Sequence, residues 1–379
     1  MPVRRLYARG QPGTYSLSSP TGYSGFSQRT PVLLHVALLA VALSACVLSR
    51  TGAESIPPDR LRTLERSYWV SATLGTSIVR GYWHPNAAAG PPPADEEIRA
   101  AARLLCGHYG ANRLYLIYHR EVLPAEARRV FLAWRRACPP AVELVPTLVL
   151  LMYDGKQTPV FGPIELRSLL RFFKQSVNPR MAAVYDVQHL RDAGPLLRVM
   201  AEEYPDGLMR VGIQPDEPIA PPFSSAVQDT WSGLCHGKTN EDWMSPGFGA
   251  GTLKQWLEAR NNQQRPVAWD LVAVAWDYAP TERGEYPGYD DAAKNMPLPA
   301  GRNRLAARLM LQTARPEVFA GFSSDLFIVQ ANSIHSARDG RDKAFYQWLK
   351  RGTPYRGAFS EPLEEIAAIY RSLRAGLMP

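Results

Sequence analysis

The sequence has little to offer several common chemistries. Its 379 residues hold four cysteines, at 46, 106, 138 and 235, and seven histidines. The one Cys–His neighbour pair, Cys235-His236, lacks the spaced partners a metal site needs, so no metal is expected. No glycine fingerprint follows the first strand-like run, which leads instead into GTSIVRGYWHP, and this argues against a dinucleotide fold. A G-x-S-x-G elbow is also missing, which disfavours a Ser–His–Asp hydrolase. No motif calls for a cofactor. Residues 1–45 contain no acidic residue, and their arginines (4, 5, 9 and 29) carry half of the net charge of +8. The remaining surplus, spread over more than 300 residues, is too dilute for a nucleic-acid footprint.

What is present begins with an apolar run, Pro31 to Ala45 (PVLLHVALLAVALSA), too short for a comfortable membrane span. It ends in Leu43-Ser44-Ala45-Cys46, which resembles the lipobox of bacterial lipoproteins. The resemblance implies cleavage before Cys46, a diacylglyceryl group on its thiol, and a folded part held at a membrane outside the cytoplasm. A plain secretory signal cut near Ala45 and an uncleaved anchor are the alternatives. The expected organisation is a signal peptide over 1–46, a linker over 47–66 and one domain over 67–379.

Strand-like runs stand at 67–75, 112–119, 142–153, 182–188, 208–214, 266–276 and 319–329, with amphipathic stretches between them. Apolar strands alternating with helices argue for a parallel sheet covered by helices. Seven or eight such units suit an α/β fold of the (β/α)8 barrel type, irregular in places, better than an open sheet. Cys106 and Cys138 each end a helix-like stretch before a strand, so consecutive units bring them close. They are either a disulfide or two buried free thiols.

Acidic residues recur at or near the ends of the strand-like runs: Glu121, Asp154, Asp186, Asp216-Glu217, Asp277 and Asp325. In a barrel those ends gather on one face, where barrel enzymes keep their chemistry. Aromatic and histidine side chains accompany them: Trp83, His84, Tyr118, His119, Tyr153, Tyr185, Trp269, Trp276 and Tyr278, with Trp231 in a long stretch, 218–251, read as a loop. Ordinary explanations compete, because strands end at water and Asp154-Gly155 reads well as a turn.

Carboxylates among aromatics suit sugars, since glycosidic cleavage uses one carboxyl as acid and a second to attack or to activate water. On these motifs the chain resembles the broad superfamily of TIM-barrel glycoside hydrolases. Ile213–Pro218 (IQPDEP) is similar to a strand-end Asn-Glu-Pro in which the Glu is the acid/base, which implies that role for Glu217, with Asp216 in place of the Asn. Val184–Gln188 (VYDVQ) is similar to the nucleophile-bearing strand of α-galactosidase-type barrels, which implies Asp186 as nucleophile and Asp277 as its distant partner. The favoured pair is Asp186 with Glu217, and Asp186 with Asp277 is the rival. Trp83, His84, Tyr118, His119, Tyr153, Trp231 and Trp276 are the expected substrate contacts. The expected partners are a carbohydrate and, through the lipid, a membrane. A non-catalytic barrel binding glycan or cell-wall polymer is the alternative function.

Overall fold

The computed structural model describes residues 63–74, 92–118, 124–152, 158–159, 161–176, 180–185, 193–213, 218–228, 234, 239–245, 249–261, 265–276, 295–326 and 346–379. Eight parallel strands close into a barrel: β1 (Glu65–Ser71), β2 (Arg113–Tyr118), β3 (Glu143–Val149), β6 (Ala182–Tyr185), β7 (Leu208–Ile213), β8 (Ser225–Gln228), β9 (Val267–Leu271) and β12 (Phe319–Asp325). Around the ring the order is β1-β12-β9-β8-β7-β6-β3-β2, so the first and last strands meet. Two short antiparallel pairs lie outside this sheet: β4 (Leu151–Met152) with β5 (Thr158–Pro159), and β10 (Val274–Trp276) with β11 (Asn295–Pro297). This is a (β/α)8 barrel. Residues Ala53–Pro379 form one compact unit, and β1 begins two residues before the expected boundary.

The alternation of each strand explains its two buried faces. Trp69, Tyr115, Ile117, Val145, Val149, Ala183, Met209, Val227 and Ala268 form one apolar cluster inside the ring. The intervening residues, among them Tyr68, Leu114, Leu116, Leu144, Leu148, Val184 and Trp269, point outward into a second, larger core beneath the helices. β1 is buried at every position although four of its seven residues are polar, and Glu65, Arg66, Ser67 and Ser71 are enclosed with hydrogen-bond partners.

The outer layer includes α1 (Asp95–Ala102), α2 (Pro124–Ala137), α3 (Pro163–Ser176), α4 (Gly194–Glu203), α5 (Asn240–Met244), α6 (Gly249–Asn261), α7 (Arg302–Thr313), α8 (Gln347–Arg351) and α9 (Ser360–Arg374). In α3, Leu166, Leu170 and Phe173 are spaced by four and three residues, so they share one face and are fully buried. Burial of this kind stabilises by about 1.5–3 kcal/mol per side chain. The last helix seals the seam where the ring closes, because Tyr370 of α9 donates a hydrogen bond to the Ser67 carbonyl at 2.8 Å.

Three expectations need correcting. The run 142–153 is not one strand: β3 stops at Val149 and β4 belongs to a separate pair. The run 266–276 likewise divides, with the barrel strand ending at Leu271. The eighth barrel strand is Ser225–Gln228, inside the stretch read as a loop. Four residues with only Ala226 and Val227 apolar are too short a pattern to stand out. It follows β7 without a helix among the described residues of the connection, which includes a cis Pro221-Pro222 bond.

Closure also demands a glycine. Gly321 has φ +133°, and a Cβ there would overlap the backbone of Glu65 across the seam, where the β9–β12 register shifts between Phe319 and Gly321. Gly321→Ala is expected to lower unfolding free energy by about 2–4 kcal/mol in denaturant titration. An unchanged midpoint would contradict this reading of the seam.

Candidate functional site

The two ends of the barrel interior carry different charge chemistry. At the amino-terminal end, Arg113 on β2 bridges Glu65 on β1 and Glu143 on β3, reaching Glu143 at 2.6 Å and Glu65 at shorter range. Ser67 and Tyr115 each donate to Glu65, at 2.6 and 2.7 Å. Burial alone would weaken the hold of the Arg113 guanidinium on its proton, but Glu65, Tyr115 and Glu143 outweigh it and push its pKa up. Above this floor Trp69 stacks on Tyr115, ring centroids 4.6 Å apart, and Trp69 Nε1 donates to Ser323 Oγ on β12. Arg113 thus neutralises both acids, and Glu65 is enclosed.

The carboxyl-terminal end differs. Ser323 and Asp325 are two apart on β12, and the Trp69 bond turns Ser323 inward, so Asp325 shares the inner face. Asp270 shares the inner face of β9 with Ala268 and lies beside Ser323 in register. Both aspartates are buried. Ser71, the last residue of β1, donates its backbone N–H to Tyr346 Oη at 3.3 Å, and its hydroxyl meets Thr73 Oγ1 at 2.9 Å. Burial, opposed by the Ser71 N–H and reinforced by the Asp325 charge, pushes the Tyr346 hydroxyl above the ordinary phenol range, so it keeps its proton as a donor.

The first turn of α7 fastens two segments at this end. Arg302 is fully buried; its guanidinium donates to the carbonyls of Leu234 and Thr239 at 3.1 and 2.6 Å and to Asn240 Oδ1 at 3.3 Å. It also lies 5.9 Å from the centre of the Trp243 ring. Asn303 pairs with both backbone groups of Val272, just past β9. Glu365 of α9 accepts the backbone N–H groups of Gly301 and Arg304, a carboxylate at a helix N-terminus. Burial pushes its pKa up against the pull of those two donors.

Of the residues expected from sequence, Asp186, Glu217, Asp277, Trp83, His84, His119, Tyr153, Trp231 and Cys46 lie outside the described residues. Glu121, Asp154, Asp216, Tyr278, Cys235 and His236 do so as well. The strands that lead to the favoured pair are described: β6 and β7 are neighbours, with Tyr185 beside Val211. In sequence, Asp186 comes one residue after β6 and Glu217 four after β7. Asp277, of the rival pair, comes one residue after β10, which pairs with β11 outside the barrel sheet. Trp276 closes that same β10 and is not at a barrel strand end.

Tyr118 is also corrected. Tyr115 and Ile117 face inward, so alternation turns Tyr118 outward, where it packs 6.3 Å from Phe131, 6.3 Å from Phe161 and 5.6 Å from Phe173. It is core, as is Trp269. Asp325 was legible as a strand-end acid. Asp270, Ser71, Tyr346, Arg302 and Asn303 were not, although a lone charge within VAWDL was a signal. Cys106 and Cys138 are adjoining buried thiols without a bond. Among the described residues, no group of three His, Cys, Asp or Glu side chains could hold a metal ion.

No family model and no curated protein matches the chain. Solved structures similar to it include the carboxyl transferase domain of Rhizobium etli pyruvate carboxylase, at 10% identity and TM-score 0.38 over 82% of this chain and 49% of that one. This chain thus spans about half the length of that protein. Others are N-acetylneuraminate lyase from Fusobacterium nucleatum (8%, TM-score 0.35, 84% and 99%) and a GH18 chitinase from Cycas revoluta (9%, TM-score 0.37, 76% and 99%). Likenesses this distant carry no weight for the reaction.

Arg302→Met is expected to destabilise the barrel by about 2–4 kcal/mol, since the buried Leu234 carbonyl and the part-buried Thr239 carbonyl lose a charged donor. The loss should appear in thermal unfolding, with hydrogen exchange rising at Trp243 and Ser245. Unchanged exchange there would refute the fastening role.

Proposed function

We propose that this chain is an exported lipoprotein, anchored through Cys46, whose barrel acts on a poly- or oligosaccharide as a glycoside hydrolase. Asp186 and Glu217 are its working carboxylates. The observation that carries the reading is the pairing of β6 with β7: the segments bearing the two acids leave adjacent strands at the carboxyl-terminal end of a closed barrel. Acids leaving neighbouring strand ends fit the separation of about 5–10 Å over which glycosidases work.

In this reading Glu217, between Pro215 and Pro218, protonates the leaving oxygen, and Asp186 attacks the anomeric carbon or activates water. Asp325 belongs to β12, four strands around the ring from β6, and in this reading it lines the same mouth. There it accepts hydrogen bonds from sugar hydroxyls. Tyr346, protonated, is suited to donate to them.

The test is a screen of the purified full-length chain against polysaccharides, with new reducing ends as readout. Glu217→Gln should lower kcat by about 10²–10⁴-fold while leaving sugar binding within a few-fold. Loss of both, or of neither, sinks the assignment. Sugar binding without turnover in the native chain identifies instead a glycan-binding barrel.

Anchoring is tested separately. Among the described residues no helix is long and apolar enough to cross a membrane, so in this reading attachment depends on the lipid. Cys46→Ser should move the protein from the membrane fraction to the soluble fraction and remove the lipid mass from its N-terminal peptide. Retention in the membrane would overturn lipidation.

A further inference from the structure

Two thiols far apart in sequence meet in the outer core. Cys106 lies in the turn that extends α1, and Cys138 caps the end of α2, its N–H donating to the Trp134 carbonyl at 2.9 Å. The turn is a wide one, Arg103–His108, with the N–H of Tyr109 reaching the Leu104 carbonyl five residues back. Helices α1 and α2 pack side by side, and the two sulfurs share a hydrogen bond. Cys106 is 7% exposed and Cys138 5%. Two buried thiols brought together at the ends of packed helices are placed where a short movement can join them.

We propose that Cys106 and Cys138 are joined in a disulfide as the chain folds outside the cytoplasm, tying the first helix unit of the barrel to the second. The site is a covalent modification site, and its co-reactant is a disulfide of the thiol–disulfide oxidoreductase or glutathione class. One cysteine thiolate attacks the oxidant disulfide, forming a mixed disulfide and releasing one thiol. The other thiolate attacks the mixed disulfide at its protein sulfur and releases the second. Two protein thiols lose two protons and two electrons, and the oxidant becomes two thiols.

Burial sets the order of events. In the folded dithiol the hydrogen bond to Cys138 and burial hold the Cys106 thiol far above its ordinary range. The thiolate is the nucleophile, so the closed barrel is inert and the bond must form on the folding chain. Once made, it is sealed in the core against reduction.

The inference relies on export only for its occurrence in cells, and two arms keep the two ideas apart. In the first, full-length protein is unfolded with reductant, refolded in a glutathione redox buffer, blocked with maleimide and mapped by peptide mass. A Cys106–Cys138 linkage is expected. Free alkylated thiols at both positions, or a linkage to Cys235, overturns the proposal. The linked protein should melt about 5–10 °C above the Cys106→Ala/Cys138→Ala double variant. Equal melting overturns the structural role, and the mapping arm decides the bond if the variant does not fold.

In the second arm, membrane-fraction protein is acid-quenched and alkylated without reductant. Linked cysteines support the proposal, and free ones in properly exported protein overturn it. Refolded protein that links while the cellular protein remains cytoplasmic and reduced sinks the export reading and leaves the bond chemistry standing.

Discussion

Closing a parallel sheet on itself is the constraint from which the rest of this molecule follows. When β1 meets β12, each barrel strand has an inner and an outer face, and neither reaches water along its middle. The inner face must fill a narrow tube, which it does with Trp69 stacked on Tyr115 and smaller residues such as Ala183, Val227 and Ala268 opposite. The outer face must match the helices, which it does with leucines and aromatics. The seam itself is made by specific contacts: the backbone of Glu65 against Gly321, the Trp69–Ser323 hydrogen bond, and the Tyr370 bond to Ser67 from outside. These contacts reinforce the parallel ladder between two strands whose register partners, such as Glu65 and Gly321, are far apart in sequence.

The same closure separates the two ends chemically. Parallel strands put all their amino-terminal ends together, and there Arg113 cancels Glu65 and Glu143 beneath a plug of aromatic rings. At the other end Asp270 and Asp325 lie within the wall, Tyr346 keeps its proton beside Ser71, and the first turn of α7 fixes the backbone just beyond β8 and β9. A barrel with a locked floor and a polar, fastened rim can vary its chemistry at the rim without loosening its core. β6 and β7 also run toward that end.

Much of the architecture was legible because buried parallel strands and amphipathic helices write strong, local patterns. Seven of the eight barrel strands stood out, and α3 declared its buried face through Leu166, Leu170 and Phe173. The misreadings share a cause. Val142–Tyr153 and Pro266–Trp276 are apolar apart from Glu143, Thr147 and Asp270, and a nearly continuous apolar run does not say where one strand stops and a short hairpin strand begins. Ser225–Gln228 failed in the opposite way: its barrel role comes from neighbours on both sides, not from its own four residues. Tyr118 was placed at the mouth because it ends a strand, whereas its facing depends on strand parity, which was anchored only once Tyr115 and Ile117 were seen pointing inward.

By itself, then, the amino-acid order determined the class of fold, the alternation of strand and helix, and a short apolar segment ending at a cysteine, all of which depend on neighbours within a few residues. Only the tertiary structure decided which side of each strand faces the interior, that Arg302 and Asn303 are fasteners and not surface polar residues, and that Cys106 and Cys138 touch. Those facts depend on ring closure, which joins residues hundreds of positions apart through a register that no local pattern encodes.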